Sequence, residues 1–138
     1  MKAISSLLGF VLLAALSFTA AAAEPADPIR IELNTAAGTN GCRLSFVVEN
    51  KSADAVSSLK LDLVVFNKEG TIDRRLVAEM GPLRAAKTVV KTFELERGCA
   101  DLGSILVNGV TACAPGEPDA CLDRLVLSSR LPHVRLFK

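Results

Sequence analysis

Four cysteines, Cys42, Cys99, Cys113 and Cys121, stand behind an export-type leader in a chain of 138 residues. Together they restrict both the compartment and the fold. An even number of cysteines in a small exported domain reads as a disulfide framework, and four allow three connectivities. Zinc sites use C-x₂₋₄-C spacings and redox-active pairs use C-x-x-C. The closest pair here, Cys113 and Cys121, fits neither spacing, so the cysteines are expected to be structural.

The leader runs from Met1-Lys2 through an apolar stretch, Leu7 to Phe18, to the small residues Thr19 to Ala23, and then turns polar at Glu24-Pro25-Ala26-Asp27-Pro28. A basic start, a short apolar segment and an A-x-A site make a secretory signal peptide. Cleavage is expected after Ala23, which divides the chain into a signal (1–23), a flexible leader (24–28) and one domain (29–138). The apolar stretch is shorter than the ~20 residues of a spanning helix, and no later segment comes close, so no membrane span is expected after cleavage. The n-region has no Arg-Arg pair, which favours the general secretory route, and no cysteine near the cut offers a lipid anchor. The expected location is periplasmic or secreted.

The 16 Lys and Arg, one of them Lys2 in the leader, nearly balance the 15 Asp and Glu, and the charges are interspersed. That balance gives no electrostatic basis for binding nucleic acid or anionic lipid. Trp and Tyr are absent, which removes the usual stacking anchors and leaves Phe.

Period-two alternation recurs along the mature chain, the mark of half-buried strands. Ile29 to Leu33 alternates apolar with charged residues, and Asn34 to Gly41 is expected to break that strand. In Cys42 to Asn50, the side chains of Cys42, Leu44, Phe46 and Val48 share a face; in Leu59 to Phe66, Leu59, Leu61, Leu63 and Val65 do so. Asn67-Lys68-Glu69-Gly70 reads as a hairpin loop whose glycine supplies positive φ. Further strands are expected at 71–79, 87–95, 104–112 and 122–129, with the Pro-Gly stretch 114–120 irregular and the tail from Leu131 a terminal edge strand. These are about seven strands at the spacing of an antiparallel β-sandwich.

Strand direction helps to choose among the cysteine pairings. If strands run up and down, four antiparallel strands return the chain from Cys42 to the same end near Cys99. The next strand then carries Cys113 about 30 Å away at ~3.3 Å per residue, which disfavours Cys99 with Cys113. The expected pairs are Cys42 with Cys99 and Cys113 with Cys121, contributing about 4 and about 2.6 kcal/mol in the chain-entropy model.

Chemistry is sparse. His133 is the only histidine; it sits in the tail, and no G-x-S-x-G elbow surrounds any serine. One His and one mature Met, Met80, make a poor metal set. Gly38-Thr39-Asn40-Gly41 is a turn and not a phosphate loop. Glu94 with Glu96 and Asp119 with Asp123 are carboxylate pairs of a solvated surface. Asn50-Lys51-Ser52 matches a glycosylation sequon. No catalytic residue, cofactor or metal site is read from the chain. The remaining candidates are contacts. Val64 and Phe66 lie opposite Leu63 and Val65, so one strand is apolar on both sides, with its second side either covered or open to a partner. Phe66, Val64 and Arg75 form one candidate surface. The strand edges at Ile29 to Leu33 and at the tail, including Leu136, are others, as is the Cys113–Cys121 loop with Pro115 and Glu117.

Val48 to Ser52, followed by Leu59 to Gly70, resembles the bacterial FxLYD-like modules, which are related in plan to late-embryogenesis-abundant type 2 domains. The resemblance covers about half the mature chain. Leu63 to Asn67 stands where the family pattern falls, with Phe66 in place of Tyr and Asn67 in place of Asp; the four cysteines lie outside that pattern. The resemblance implies an immunoglobulin-like extracytoplasmic module that binds or stabilises without catalysis. The expected function is therefore a non-catalytic exported module contacting another protein or an envelope component. The alternative is a small inhibitor presenting the 113–121 loop to a hydrolase.

Overall fold

The computed structural model describes residues 22–138; the signal peptide expected over 1–23 lies almost wholly outside the described residues. Eight strands, β1 (Ile29–Ala37), β2 (Cys42–Asn50), β3 (Ser58–Asn67), β4 (Ile72–Glu79), β5 (Thr88–Leu95), β6 (Leu102–Ala114), β7 (Leu125–Ser129) and β8 (Arg135–Phe137), form two sheets. One has the order β5-β2-β1-β7 and the other β4-β3-β6-β8. Their inner faces share a single core. Ile29, Ile31 and Leu33 of β1 and Leu44, Phe46 and Val48 of β2 meet Leu59, Leu61, Leu63 and Val65 of β3 and Ile105 and Val107 of β6. The alternation legible in the sequence is thus the inner-face pattern of a disulfide-braced all-β sandwich.

The topology corrects three expectations. The sheets are mixed: β1 pairs in parallel with β7, and β6 in parallel with β8. Ile29 to Leu33 is not an exposed edge, because β2 and β7 flank it on both sides. Nor does β1 stop at Leu33. Its register with β2 shifts between Leu33 and Thr35, and it continues to Ala37, a bulge at Asn34 absorbing the residue that interrupts the alternation.

A fourth correction concerns the Pro-Gly stretch. Residues Pro118–Arg124 form a helix, α1, with proline at its start, Asp119 in its first turn and Arg124 in its last. A first-turn proline loses no helical hydrogen bond and brings a suitable φ, so Pro118 opens the helix that it had seemed to forbid. The tail secures α1 from the other end: the Lys138 ammonium donates to the Leu122 carbonyl at 2.7 Å. The hairpin glycine behaves as expected, Gly70 standing at φ +80°.

Both disulfides form in the expected pairing. Cys42–Cys99 spans 57 positions with Cα atoms 4.7 Å apart, and Cys113–Cys121 spans 8 and ties the end of β6 to α1. Such bonds persist in oxidising compartments. Among the described residues no helix is long and apolar enough to cross a membrane. The 24–28 leader touches the domain, Glu24 pairing with Arg30 at 2.7 Å and Lys51 N–H donating to the Pro28 carbonyl.

Candidate interaction surface

The two outer faces of the sandwich differ in kind. On the β5-β2-β1-β7 sheet, outward residues are joined in polar cross-strand pairs: Arg43 with Glu94 at 2.6 Å, Ser45 with Thr92, and Arg130 with Glu32 at 2.8 Å. Asn34 and then Arg130 hold the Glu32 carboxyl below its ordinary range. Val90, 64 % exposed, the half-buried Val47 opposite it and the half-buried Val126 beside Arg30 are the larger apolar residues among these polar pairs.

The outer face of the β4-β3-β6-β8 sheet is apolar and arginine-rich. Strand register sets its side chains in rows. One row runs Ile72, Phe66, Ser104, Arg135, and the next runs Arg75, Val64, Leu106, Phe137. At 4.7–4.9 Å between strands, each row is about 15 Å wide. Ile72 and Val77 are 63 % and 60 % exposed, Val64 only 7 %, and Phe66, Leu106 and Phe137 half-buried. The Arg135 guanidinium lies 4.7 Å from the Phe137 ring centroid, a cation–π contact that fixes both side chains. Of the phenylalanines beyond the leader, Phe46 and Phe93 pack edge to face in the core, whereas Phe66 and Phe137 belong to this face.

Asp62 anchors the polar side of the patch. Its side chain is nearly buried, yet it accepts from Arg75 Nε at 2.7 Å, from Arg75 Nη2 at 2.5 Å and from Asn108 Nδ2 at 2.6 Å. Arg75 first, then Asn108, holds the Asp62 carboxyl below its usual range, against burial, which pushes it up; Arg75 is raised in return. Because the folded value lies below the unfolded one of about 3.9, the stabilisation is present above that pH. It is lost as pH falls through the folded value. Asp62→Asn is therefore expected to cost about 1 kcal/mol at pH 7, a charged hydrogen-bond pair discounted for the exposed guanidinium. Urea midpoints taken at several pH values check this: the gap to the natural chain should shrink below about pH 4.

The candidate residues divide accordingly. Val64, Phe66 and Arg75 are brought together on this face, with Val64 covered beneath its neighbours. Leu136 is not on it, because it packs into the core beside Ile105; its neighbours Arg135 and Phe137 carry the outer contacts. Pro115 and Glu117 are exposed at the other end of the molecule, next to α1. Alternation alone does not single out Ile72, Val77, Leu106, Arg135 and Phe137, although the last four alternate with residues in or against the core, while Ile72 lies beyond a shift in the β3–β4 register.

The remaining motifs have structural places. Asn50 is fully buried, and its Nδ2 donates to the Asp54 carbonyl at 2.8 Å and the Arg84 carbonyl at 3.1 Å. The sequon nitrogen is thus committed to a clasp between β2 and two turns and faces no solvent. His133 is exposed in the turn before β8. Glu94 and Glu96 pair with Arg43 and Arg74. Among the described residues no group of three or more His, Cys, Asp or Glu is placed to hold a metal ion. No family model, curated protein or solved structure matches the chain.

Proposed function

We propose that the protein is a non-catalytic exported module, periplasmic or secreted, that contacts another protein or an envelope component through the outer face of the β4-β3-β6-β8 sheet. The observation that carries this reading is the asymmetry of the two outer faces. One carries paired charges and hydroxyls around Val47, Val90 and Val126, while the other holds the aromatic Phe66 and Phe137 with Ile72, Val77, Arg75 and Arg135. Aromatic and arginine side chains are the enriched components of interface cores. In a chain without Trp or Tyr, phenylalanine and arginine are the anchors available. The resemblance to FxLYD-like modules supports the same reading through the extracytoplasmic binding role it implies, and the signal-like leader supports export. The inhibitor reading of the 113–121 loop is less well served, because β6 and α1 leave only Pro115 to Glu117 exposed outside regular structure.

Affinity capture from the exported compartment tests the proposal. The mature chain should retain a discrete species, and Phe66→Ala with Phe137→Ala should weaken its retention by at least about tenfold, the loss of two anchors each worth more than about 1 kcal/mol. Equal retention by the double variant would remove this face from the function.

A further inference from the structure

Strand β4 is an edge with its outward backbone unpaired. Met80 N–H donates to the Leu59 carbonyl at 2.8 Å, and Leu61 and Leu63 stand opposite Ala78 and Leu76. In an antiparallel ladder, bonded and non-bonded pairs alternate, so the even-numbered residues of β4 bond to β3. The N–H and C=O groups of Arg75, Val77 and Glu79 then point away from the sheet, and all three residues are exposed.

The geometry points to a second copy of this chain as the occupant of that edge, paired antiparallel about a two-fold axis at Val77. The charges select the register. An axis at Arg75 sets that guanidinium against its own copy, and an axis at Leu76 sets Asp73 against Glu79. An axis at Ala78 leaves Arg75 opposite Gly81, without a complementary charge. The axis at Val77 alone places Arg75 opposite Glu79, twice, with Val77 against Val77 between them. Every outward-pointing backbone group of Arg75, Val77 and Glu79 then meets its complement. Lys60 already lies 3.6 Å from Glu79, and Arg75 is bonded to Asp62. A ladder of alternating sign therefore crosses the junction: Lys60 and Glu79 of one copy, then Arg75 and Asp62 of the other.

Self-pairing through one patch closes as a dimer and does not grow into fibres. Arg74, whose register partner is the core residue Val65, points inward and bonds to Glu96 at 2.8 Å. Inward charges blunt an edge against indiscriminate pairing, and here they leave one register favoured. The result is a continuous eight-stranded sheet whose outer face presents the Phe66 and Phe137 patch twice.

Purified mature protein tests this without any other partner. Sedimentation velocity over a concentration series should show the mass rising from one chain to two, and Val77→Lys should remain a single chain throughout. All native cysteines are paired, so Val77→Cys adds the only free thiol; mild oxidation should link it to its own copy, whereas Ser128→Cys on the opposite sheet should not link. Arg75→Glu and Glu79→Lys should each fail to self-associate, yet their mixture should form mixed dimers. A single chain at every concentration, a dimer that survives Val77→Lys, or no mixed dimers from the charge-swapped pair would each overturn the assignment. Glu79 is no part of the proposed binding face, so loss of the dimer in Glu79→Lys with partner capture retained separates this inference from the proposed function.

Discussion

Replacing Cys42 and Cys99 together by alanine is expected to remove about 4 kcal/mol of stability, the largest loss from any single element of this fold. The bond closes a ring spanning 57 positions that contains β2, β3, β4 and β5, and a long ring restricts the unfolded chain most. Cys42 is itself buried at the start of β2 opposite Leu95, so truncation also leaves a small cavity. Against a total of about 5–15 kcal/mol for a domain of this kind, the change should lower the midpoint of thermal unfolding by roughly 15 °C. The paired replacement of Cys113 and Cys121, which closes a ring spanning 8 positions, should cost about 2.6 kcal/mol. Far-UV circular dichroism in urea is the suitable probe, since the chain has neither Trp nor Tyr. Equal losses from the two pairs would contradict the role given to ring size.

Asn50→Ala is expected to cost about 3 kcal/mol without touching the apolar core. The side chain occupies a fully buried site at the end of β2. Its Nδ2 serves two carbonyls, those of Asp54 and Arg84, and its Oδ1 accepts the Ser52 N–H at 3.1 Å. Alanine leaves the buried Ser52 N–H and the part-buried Arg84 carbonyl without their partner and the Asp54 carbonyl with the Ser52 hydroxyl alone, each loss worth about 1 kcal/mol. Asn50→Asp should not rescue the site, since a carboxylate keeps the Ser52 contact but turns its second oxygen toward two carbonyls. Urea midpoints of the two variants check both statements; an aspartate variant as stable as the natural chain would show that the clasp does not depend on the amide nitrogen.

The parts of this fold that were legible in the sequence are those in which one strand reports on itself. Cys42 to Asn50 alternates with the single exception of Val47, and its limits match β2 at both ends. The cysteine pairing followed from strand direction alone, because up-and-down strands return Cys99 to the end where Cys42 begins. What was missed depends on distant neighbours or on local exceptions. Ile29 to Leu33 looks like an edge until β7, from the far end of the chain, pairs with it. Pro118 looks like a breaker until it is placed at the first position of a helix. In the tail, alternation shows two faces without saying which one meets the core, and a shift of one residue exchanges them. The sequence offers Leu136 as one contact, whereas Leu136 fills the core and Phe137 faces out. The asymmetry of the two outer faces could not be read from one strand, because it emerges only when Phe66, Leu106 and Phe137 are brought side by side from three strands.

Site-specific photocrosslinking in the exporting cell tests the binding face most directly, with one probe replacing Phe66 and a control probe replacing Thr92 on the opposite outer face. A discrete adduct heavier than two copies of the chain, formed from position 66 and absent from position 92, is the expected result. A discrete adduct from position 92 with none from position 66 would contradict the account.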